Sequence, residues 1–184
     1  RLGWLADVVA PDGTRDLSLR PNQLFALSLH RPLVTGRRAE RVLAAVEEKL
    51  LTPYGLRSLD PAHPDYRGRF EGGPAERDAA YHQGTAWPWL LGPFVDAHLA
   101  VRGNTPESRR RASAWLAPLV EHFFGPGLGQ LPEVFDGDPP HRAGGCVAQA
   151  WSVGEVLRAV AMRQDDAGRA GGHRPGRGLD RGAV

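Results

Sequence analysis

Cysteine is almost missing from this chain of 184 residues, since Cys146 is its only one. A single cysteine excludes an intrachain disulfide and fits a reducing compartment, which favours the cytoplasm. Its place between Gly145 and Val147, at a predicted helix start, is more typical of a small buried thiol than of a nucleophile. The chain also begins RLGW, without Met and without a signal-peptide pattern, which we interpret as the middle of a longer protein.

Long hydrophobic runs and cofactor motifs are lacking as well. No apolar stretch approaches the roughly 20 residues that cross a bilayer, so no membrane partner is expected. The glycine-rich run at 125–129 follows a predicted helix rather than a strand and does not fit a dinucleotide site. No Walker A or HExxH sequence occurs, and the seven histidines do not show zinc spacing. We therefore expect neither a cofactor nor a metal.

Positive charge is not concentrated on the body of the chain. The net charge is +2, and the segment from Arg163 onward, with five Arg and three Asp, accounts for that surplus. A nucleic-acid-binding protein gathers Lys and Arg on a folded face, so nucleic acid is not expected as a partner. Residues 164–184 are rich in Gly and Arg and lack hydrophobic periodicity, which predicts a disordered tail.

Hydrophobic periodicity predicts an all-α fold of about five helices joined by long loops. Val42, Val46 and Leu50 show the spacing of an amphipathic helix, and no segment shows a competing strand pattern. The 23 glycines and 16 prolines cluster between the apolar stretches, where they favour shaped loops. The predicted helices cover 20–29, 36–51, 84–102, 106–124 and 146–163.

The loop between the last two predicted helices is the clearest candidate for chemistry. It holds Glu133, Asp136 and Asp138 within six positions. Glycosidases use two carboxylates that flank the scissile bond, and the apolar neighbours of Glu133 favour partial desolvation. Solvated loop acids or helix caps are the more common explanation of such a pattern. A calcium site is a weaker alternative, because EF-hand spacing is absent.

Aromatic and polar residues form a second candidate region around the start of the third predicted helix. Sugars present apolar C–H faces and hydroxyl edges, so their sites combine aromatic rings with polar side chains. Core packing is the alternative for Trp87 and Trp89, and it is expected for at least one of them because they point to different faces. Candidates for substrate binding on this and other loops are Asn22, Gln23, Tyr54, Arg57, Tyr66, Tyr81, His82, Gln83, Trp87, Asp136, Gln149 and Trp151.

Four stretches resemble the C-terminal domain of prokaryotic-type glycogen debranching enzymes, the amylo-α-1,6-glucosidase family. They are RPNQLFALSL (20–29), TPYGLRSL (52–59), YRGRFEGGPAERDAAYHQGTAWPWLLGPF (66–94) and GQLPEVFDGDPPHRAGGCVAQAWSVGEVLRA (129–159). The resemblance implies that residues 1–163 are the C-terminal part of an (α/α)6 toroid, of which five helices are under half. It also implies inverting hydrolysis of α-1,6-linked glucose in a branched α-glucan such as glycogen or limit dextrin.

The resemblance assigns Glu133 the role of general base. The general acid of the family is an aspartate upstream of the first residue here, so we expect the isolated chain to be inactive, with Asp78 and Asp136 as reserve candidates. The residues that resemble subsite residues of the family are Tyr54, His82, Gln83, Trp87, Gln149 and Trp151. Two alternatives stay open: another (α/α)6 glycosidase, such as a glucoamylase-like, trehalase-like or mannosyl-transferring relative, and a non-catalytic carbohydrate-binding module.

Overall fold

Helices dominate the computed structural model, which describes residues 2–170, with side chains up to Ala161. Two short 3₁₀ helices, Pro21–Leu24 and Pro88–Leu90, lead directly into the α-helices that begin at Phe25 and Leu91. The described residues form six α-helices: α1 (Phe25–Ser28), α2 (Gly36–Lys49), α3 (Pro74–Tyr81), α4 (Leu91–Arg102), α5 (Pro106–Phe124) and α6 (Ala150–Ala170). Helices joined by long loops confirm the all-α prediction and are consistent with part of a helical toroid.

Helix α5 shows why the periodic segments were predicted well. Its N-terminus is capped by the hydroxyl of Thr105, which accepts a hydrogen bond from the backbone N–H of Ser108 at 3.1 Å. Pro106 follows in the first turn, where its missing N–H costs nothing. Leu116 and Leu119 are buried on one face. Cap, proline and apolar stripe agree on the same bounds, so the predicted and observed helices coincide.

The last helix differs from its prediction at both ends. Helix α6 begins at Ala150 instead of 146 and continues to Ala170, beyond the expected end at 163. Residues 171–184 of the predicted disordered tail lie outside the described residues. Because the helix starts later, Cys146 lies in the preceding loop and is exposed. The prediction of a buried thiol was therefore wrong.

A small antiparallel sheet, which the sequence did not predict, joins the loops. Its strands are only two or three residues long, too short for an alternating pattern to be visible in the sequence. The strands, in their order across the sheet, are β3 (Leu51–Thr52), β4 (Gly55–Arg57), β5 (Ala86–Trp87), β6 (Val134–Phe135) and β7 (Ala143–Gly144). A separate pair, β1 (Val8–Val9) and β2 (Arg15–Asp16), lies near the N-terminus.

The five-stranded sheet determines which helix ends lie together. Strands β3 and β6 follow the C-termini of α2 and α5, whereas β5 and β7 precede the N-termini of α4 and α6. Since these strands are neighbours in one sheet, the four helix ends meet at one end of the molecule. The loops with the candidate residues therefore converge, as expected if alternate helices run parallel.

Helix α4 lies at the centre of the hydrophobic core and packs against α1, α2, α5 and α6. Its Leu91 and Phe94 are fully buried. His98 on the same helix is buried too, edge-on to the Trp115 ring with 4.7 Å between ring centroids. Burial lowers the pKa of His98, so its ring is neutral and packs as part of the core. In the part of the chain that the structure describes, every helix is too short or too polar to span a bilayer.

Candidate active site

A cavity of about 440 Å³ opens at the end of the helices where the sheet lies. We call it the aromatic cavity. Seven of the residues predicted for the site line it: Asn22, Tyr81, His82, Trp87, Glu133, Gln149 and Trp151. Residues from four separate stretches of the chain thus meet in one place, and among the side chains described, up to Ala161, Glu133 is the only carboxylate that lines it.

Three hydrogen-bond donors hold the carboxylate of Glu133. The Tyr81 hydroxyl donates to Oε1 at 2.5 Å, and the Gln149 amide donates to the same oxygen at 3.2 Å. The backbone N–H of Cys146 donates to Oε2 at 3.2 Å. All three contacts treat the side chain as an acceptor, which suits an ionised carboxylate. Its orientation is therefore fixed, while the residue is only partly buried and faces the cavity.

The hairpin of β6 and β7 places Glu133 at the cavity wall. Phe135 pairs with Ala86 of the neighbouring strand β5, which anchors the acidic loop to the start of the α4 segment. The backbone N–H of Glu133 donates to the Cys146 carbonyl at 2.9 Å, so the chain returns beside the carboxylate. This pairing explains how Cys146, thirteen positions later, comes to bind Glu133.

Tyr81 is the last residue of α3 and the closest partner of Glu133. Burial, together with the hydrogen bond to Glu133 and the charge of that carboxylate, raises the pKa of Tyr81 to about 12. The phenol therefore keeps its proton at neutral pH and acts as a donor. Its carbonyl accepts from Thr85 Oγ1 at 2.6 Å, which ties the end of α3 to the following strand.

Aromatic rings form the remaining walls. His82 stacks on Trp87 with 5.2 Å between centroids, and Trp89 stacks on Trp151 at 4.0 Å. The indole N–H of Trp87 donates to Thr85 Oγ1 at 3.1 Å, so this ring is held rigidly. Trp87 is 7% exposed and belongs to the core as well as to the cavity wall, whereas Trp151 is 54% exposed at the mouth. Such flat apolar surfaces suit the C–H faces of sugars.

Arg20 separates the aromatic cavity from a second depression. Its guanidinium donates to the carbonyls of Ser58 and His82 at 3.1 and 2.6 Å, and to Gln83 Oε1 at 2.5 Å. Its Nε lies 3.6 Å from Asp7 Oδ2. These contacts join the N-terminal segment to the loops at 58 and 82–83. Arg20 therefore fixes the shape of the wall.

The second depression has a volume of about 730 Å³, and we call it the polar cleft. It shares Arg20, Asn22 and His82 with the aromatic cavity, so the two spaces lie side by side. Apart from Ala79, its remaining wall consists of polar side chains: Asp7, Asp16, Asp65, Arg67, Asp78 and Gln83. Asp78, a reserve candidate for the general acid, thus lies in the cleft and not among the residues around Glu133.

Two residues predicted for substrate binding, Gln83 and Gln23, do not line the aromatic cavity. Gln83 lines the polar cleft, where it accepts from Arg20. Gln23 is 9% exposed, accepts from the backbone N–H of Leu5 at 3.1 Å and donates to the Arg20 carbonyl at 2.8 Å. Gln23 therefore supports the N-terminal segment from behind and does not reach either space.

Three further predicted residues lie behind the site and hold its loops. Tyr54 stacks on Phe135 with 4.5 Å between centroids. Arg57 Nε donates to the Gly137 carbonyl at 2.9 Å. The Tyr66 hydroxyl donates to Asp138 Oδ1 at 2.9 Å. All three side chains thus contact residues 135–138, which follow Glu133, and none of the three lines the aromatic cavity.

Asp136 is buried behind the cavity and does not line it. It is 2% exposed, accepts the backbone N–H of Phe70 at 2.8 Å and pairs with Arg142 Nε at 2.9 Å. Both carboxylate oxygens are thus engaged by the protein. The structure gives Asp136 a place in the framework of the loop, in contrast to its prediction as a substrate-binding residue and reserve acid.

The Glu133 side chain fills the space where a side chain at position 145 would lie. Adding a methyl group at Gly145 should therefore displace the carboxylate. A Cβ at Gly145 would lie 2.8 Å from the Glu133 Cβ and collide with Oε2, and the residue has φ +70°. We expect Gly145→Ala to break the Tyr81–Glu133 hydrogen bond, and a crystal structure of the variant is the measurement that checks it. Gly129→Ala is the matched control, because Gly129 has φ +83° and open space around its Cβ position.

Both alanine variants should lose roughly 1–2 kcal/mol from the left-handed backbone conformation. Only Gly145→Ala should move Glu133, because a Cβ at Gly129 meets no other atom. An undisturbed Glu133 in that variant would contradict the tight packing that we describe.

Three polar or aromatic residues line the cavity without having been predicted as site residues: Arg20, Ser58 and Trp89. Arg20 precedes the proline that starts the first 3₁₀ helix, and Ser58 lies in one of the matched loops. Trp89 was considered together with Trp87, with core packing expected for at least one of the two. Each has a partner more than 25 positions away in the sequence. The Ser58 hydroxyl, for example, accepts a hydrogen bond from the N–H of Gly84, and sequence spacing does not show such pairs.

An oriented carboxylate in an aromatic cavity, at the loop end of a helical assembly, is typical of an all-α glycosidase domain. Comparison with known proteins agrees with this class. Residues 1–158 match the family model described as amylo-alpha-1,6-glucosidase, and the chain therefore belongs to this family. It is also similar to the glycogen debranching enzyme of Saccharomyces cerevisiae, at 35% identity over 88 residues. That alignment covers 45% of this chain and 6% of the yeast enzyme.

Proposed function

We propose that this chain is part of a glycoside hydrolase that removes α-1,6-linked glucose branches from a glycogen-like glucan with inversion. Glu133 is the general base in this proposal. The observation that carries it is the carboxylate of Glu133, held by Tyr81, Gln149 and the Cys146 N–H at the wall of the aromatic cavity. Family membership and the likeness to a glycogen debranching enzyme support the substrate class.

The base has a defined task in an inverting reaction. Glu133 takes a proton from a water molecule, whose oxygen attacks the anomeric carbon from the face opposite the leaving group. A second carboxyl group protonates the departing glycosidic oxygen at the same time, so the released sugar has the inverted configuration. The three donors keep the Glu133 oxygens aimed at one point, which favours the alignment of the water.

The second carboxyl group is proposed to come from outside the described residues. An inverting pair is separated by about 6.5–9.5 Å, which places both groups on the wall of one cavity. No acid other than Glu133 lines the aromatic cavity between residues 2 and 161. Asp78 lies in the polar cleft and Asp136 is buried in its own hydrogen bonds, so neither is assigned this role. By itself, the described part of the chain is expected to be inactive.

The same observation favours a second candidate function. A cavity with aromatic walls and a single carboxylate can bind a sugar without cleaving it, as in a carbohydrate-binding module. If the isolated chain folds, binds glucan and releases no glucose, that result would support a carbohydrate-binding function. It differs from the hydrolase proposal only in whether a second carboxyl group completes the cavity.

Product analysis tests the hydrolase proposal. The protein, joined to the segment that completes its site, is incubated with a branched limit dextrin and separately with linear maltooligosaccharides. Proton NMR during the first turnovers should show β-glucose released from the branched substrate only, because inversion of an α linkage gives the β anomer. Release of α-glucose would contradict inversion. Exclusive action on the linear substrates would instead favour a glucoamylase-like or trehalase-like glycosidase.

A further inference from the structure

We propose that the end of the molecule away from the aromatic cavity docks an acidic polypeptide segment of a partner protein. One apolar side chain of that segment enters a groove between α1, α2 and α4. Among the described residues, those that line this groove line neither the aromatic cavity nor the polar cleft. The inference therefore does not depend on the proposed function of the cavity.

The direction of the helices separates charge within a body that is neutral in sum. Helices α2 and α5 begin, and α4 ends, away from the five-stranded sheet, because their other ends meet there. The segments at this far end are residues 29–41 and 100–112, which we call the basic end. They hold eight arginines and two glutamates, whereas the rest of the chain up to residue 162 holds ten basic and sixteen acidic residues. One end of the body is therefore strongly positive.

Most arginines of the basic end have no ionic partner within the part of the chain that the structure describes. Only two of them form ion pairs, Arg110 with Glu107 and Arg111 with Glu47. Five others are exposed and bind no described group: Arg31, Arg37, Arg38, Arg41 and Arg102. Arg37 and Arg41 lie four positions apart on α2, where like charges repel each other. An anionic ligand would relieve this repulsion, so the surface suits a negatively charged partner.

A groove of about 90 Å³ opens at the basic end, between α1 and the facing ends of α2 and α4. Six apolar residues make up most of its lining: Leu27, Pro32, Val34, Ala39, Ala100 and Val101. The groove is much smaller than the roughly 300–1,000 Å³ of a small-molecule pocket. It has room for about one aliphatic side chain, so the partner is expected to combine negative charge with a single apolar anchor.

Among negatively charged partners, a polypeptide fits these features better than a nucleic acid or a lipid surface. Guanidinium groups pair well with the carboxylates of Asp and Glu, and a peptide can carry an aliphatic side chain among them. Residues 29–41 and 100–112 contain no Phe, Tyr or Trp. The basic end therefore lacks the rings that stack on bases and those that anchor proteins at a membrane interface. The segment from Arg163 onward has more Arg than Asp, so the chain's own tail is a poor occupant.

Fluorescence anisotropy with two labelled peptides tests the proposal on the whole chain. Both peptides alternate Glu and Ser, and one of them has a single central Leu in place of a Ser. The Leu peptide should bind about tenfold more tightly than the all-polar peptide, as expected for burial of one aliphatic side chain. Its affinity should fall as the salt concentration rises, because the arginines are exposed.

A pair of double variants separates the basic end from net charge alone. Arg37→Gln, Arg38→Gln should weaken binding of the Leu peptide about fivefold at low salt, through the loss of two exposed ionic contacts. Arg15→Gln, Arg77→Gln is the matched control, since it removes the same charge from two exposed arginines next to residues of the polar cleft. The control should lose less than about twofold. Equal losses in the two double variants would overturn the proposal.

The groove is tested by Ala100→Phe, because Ala100 is exposed and lines it. The larger side chain should cover the groove and remove the advantage of the Leu peptide over the all-polar one. Ala44→Phe is the control, at an exposed position of α2 outside the groove, and should keep that advantage. Equal affinity of the unchanged protein for the two peptides would overturn the proposal. Tighter binding to phosphatidylserine vesicles or to a DNA duplex than to the Leu peptide would overturn the choice of a polypeptide.

Discussion

Replacing Glu133 with glutamine should lower the rate of branch hydrolysis by about 10²–10⁴-fold, the usual contribution of a general base. Glutamine has nearly the same shape, and its amide oxygen can still accept from Tyr81 and Gln149, which both donate to Oε1 of Glu133. Only the weaker contact with the Cys146 N–H is lost, so the fold and the aromatic walls should be preserved. Because the amide cannot take a proton from water, only turnover should be lost. The measurement is initial glucose release from limit dextrin, together with the affinity for the same glucan.

The control for this experiment is Glu48→Gln. Glu48 is an exposed glutamate on α2 that pairs with Lys49 on the surface. It should leave both rate and affinity unchanged. Near-normal hydrolysis by Glu133→Gln would remove Glu133 from the role of base. A loss of glucan affinity equal to the loss of rate would indicate a binding role instead.

Replacing Asp136 with alanine should reduce the free energy of unfolding by roughly 2–4 kcal/mol. The substitution leaves the partly buried N–H of Phe70 without its acceptor and removes the charge that faces Arg142. Both lost contacts anchor the loop that carries Glu133. Urea denaturation, followed by circular dichroism, measures the change directly.

Glu71→Ala provides a matched comparison, because Glu71 and Asp136 are both partners of the same guanidinium, that of Arg142. Glu71 and Arg142 are more than half exposed, with side-chain exposures of 57% and 53%, so solvent screens their interaction. We expect Glu71→Ala to reduce the free energy of unfolding by less than about 1 kcal/mol. Equal losses in the two variants would show that burial of Asp136 does not make its contacts stronger.

The helices were predictable where sequence signals agreed over many positions. In α5, the Thr105 cap and the apolar stripe indicated the bounds that the structure shows. In contrast, α3 was predicted as irregular loop, since Ala80 is its only buried residue and no apolar stripe was visible. Its signals were limited to Pro74 at the start and Glu76 in the first turn. A short helix exposed on most sides is formed by its tertiary surroundings more than by its own pattern.

The site was predictable as a set of residue types and less so as a geometry. Glu133, Tyr81 and Gln149 were all candidates, and the structure places Tyr81 and Gln149 within hydrogen-bonding distance of the Glu133 carboxylate. Tyr54 and Arg57 were candidates for the same reasons, yet they lie behind the loop. The residue types of a sugar site and of a loop support are alike, so the sequence did not separate them.

The family, the helical class and the acidic loop followed from the sequence by itself, because matched blocks and helical periodicity are local along the chain. Only the tertiary structure decided which acid of that loop faces the cavity. Pairing of Phe135 with Ala86 and of Glu133 with Cys146 leaves Glu133 at the cavity wall and buries Asp136. These partners are 13 to 49 positions apart in the numbering, and backbone pairing over such distances leaves no periodic signal in the chain.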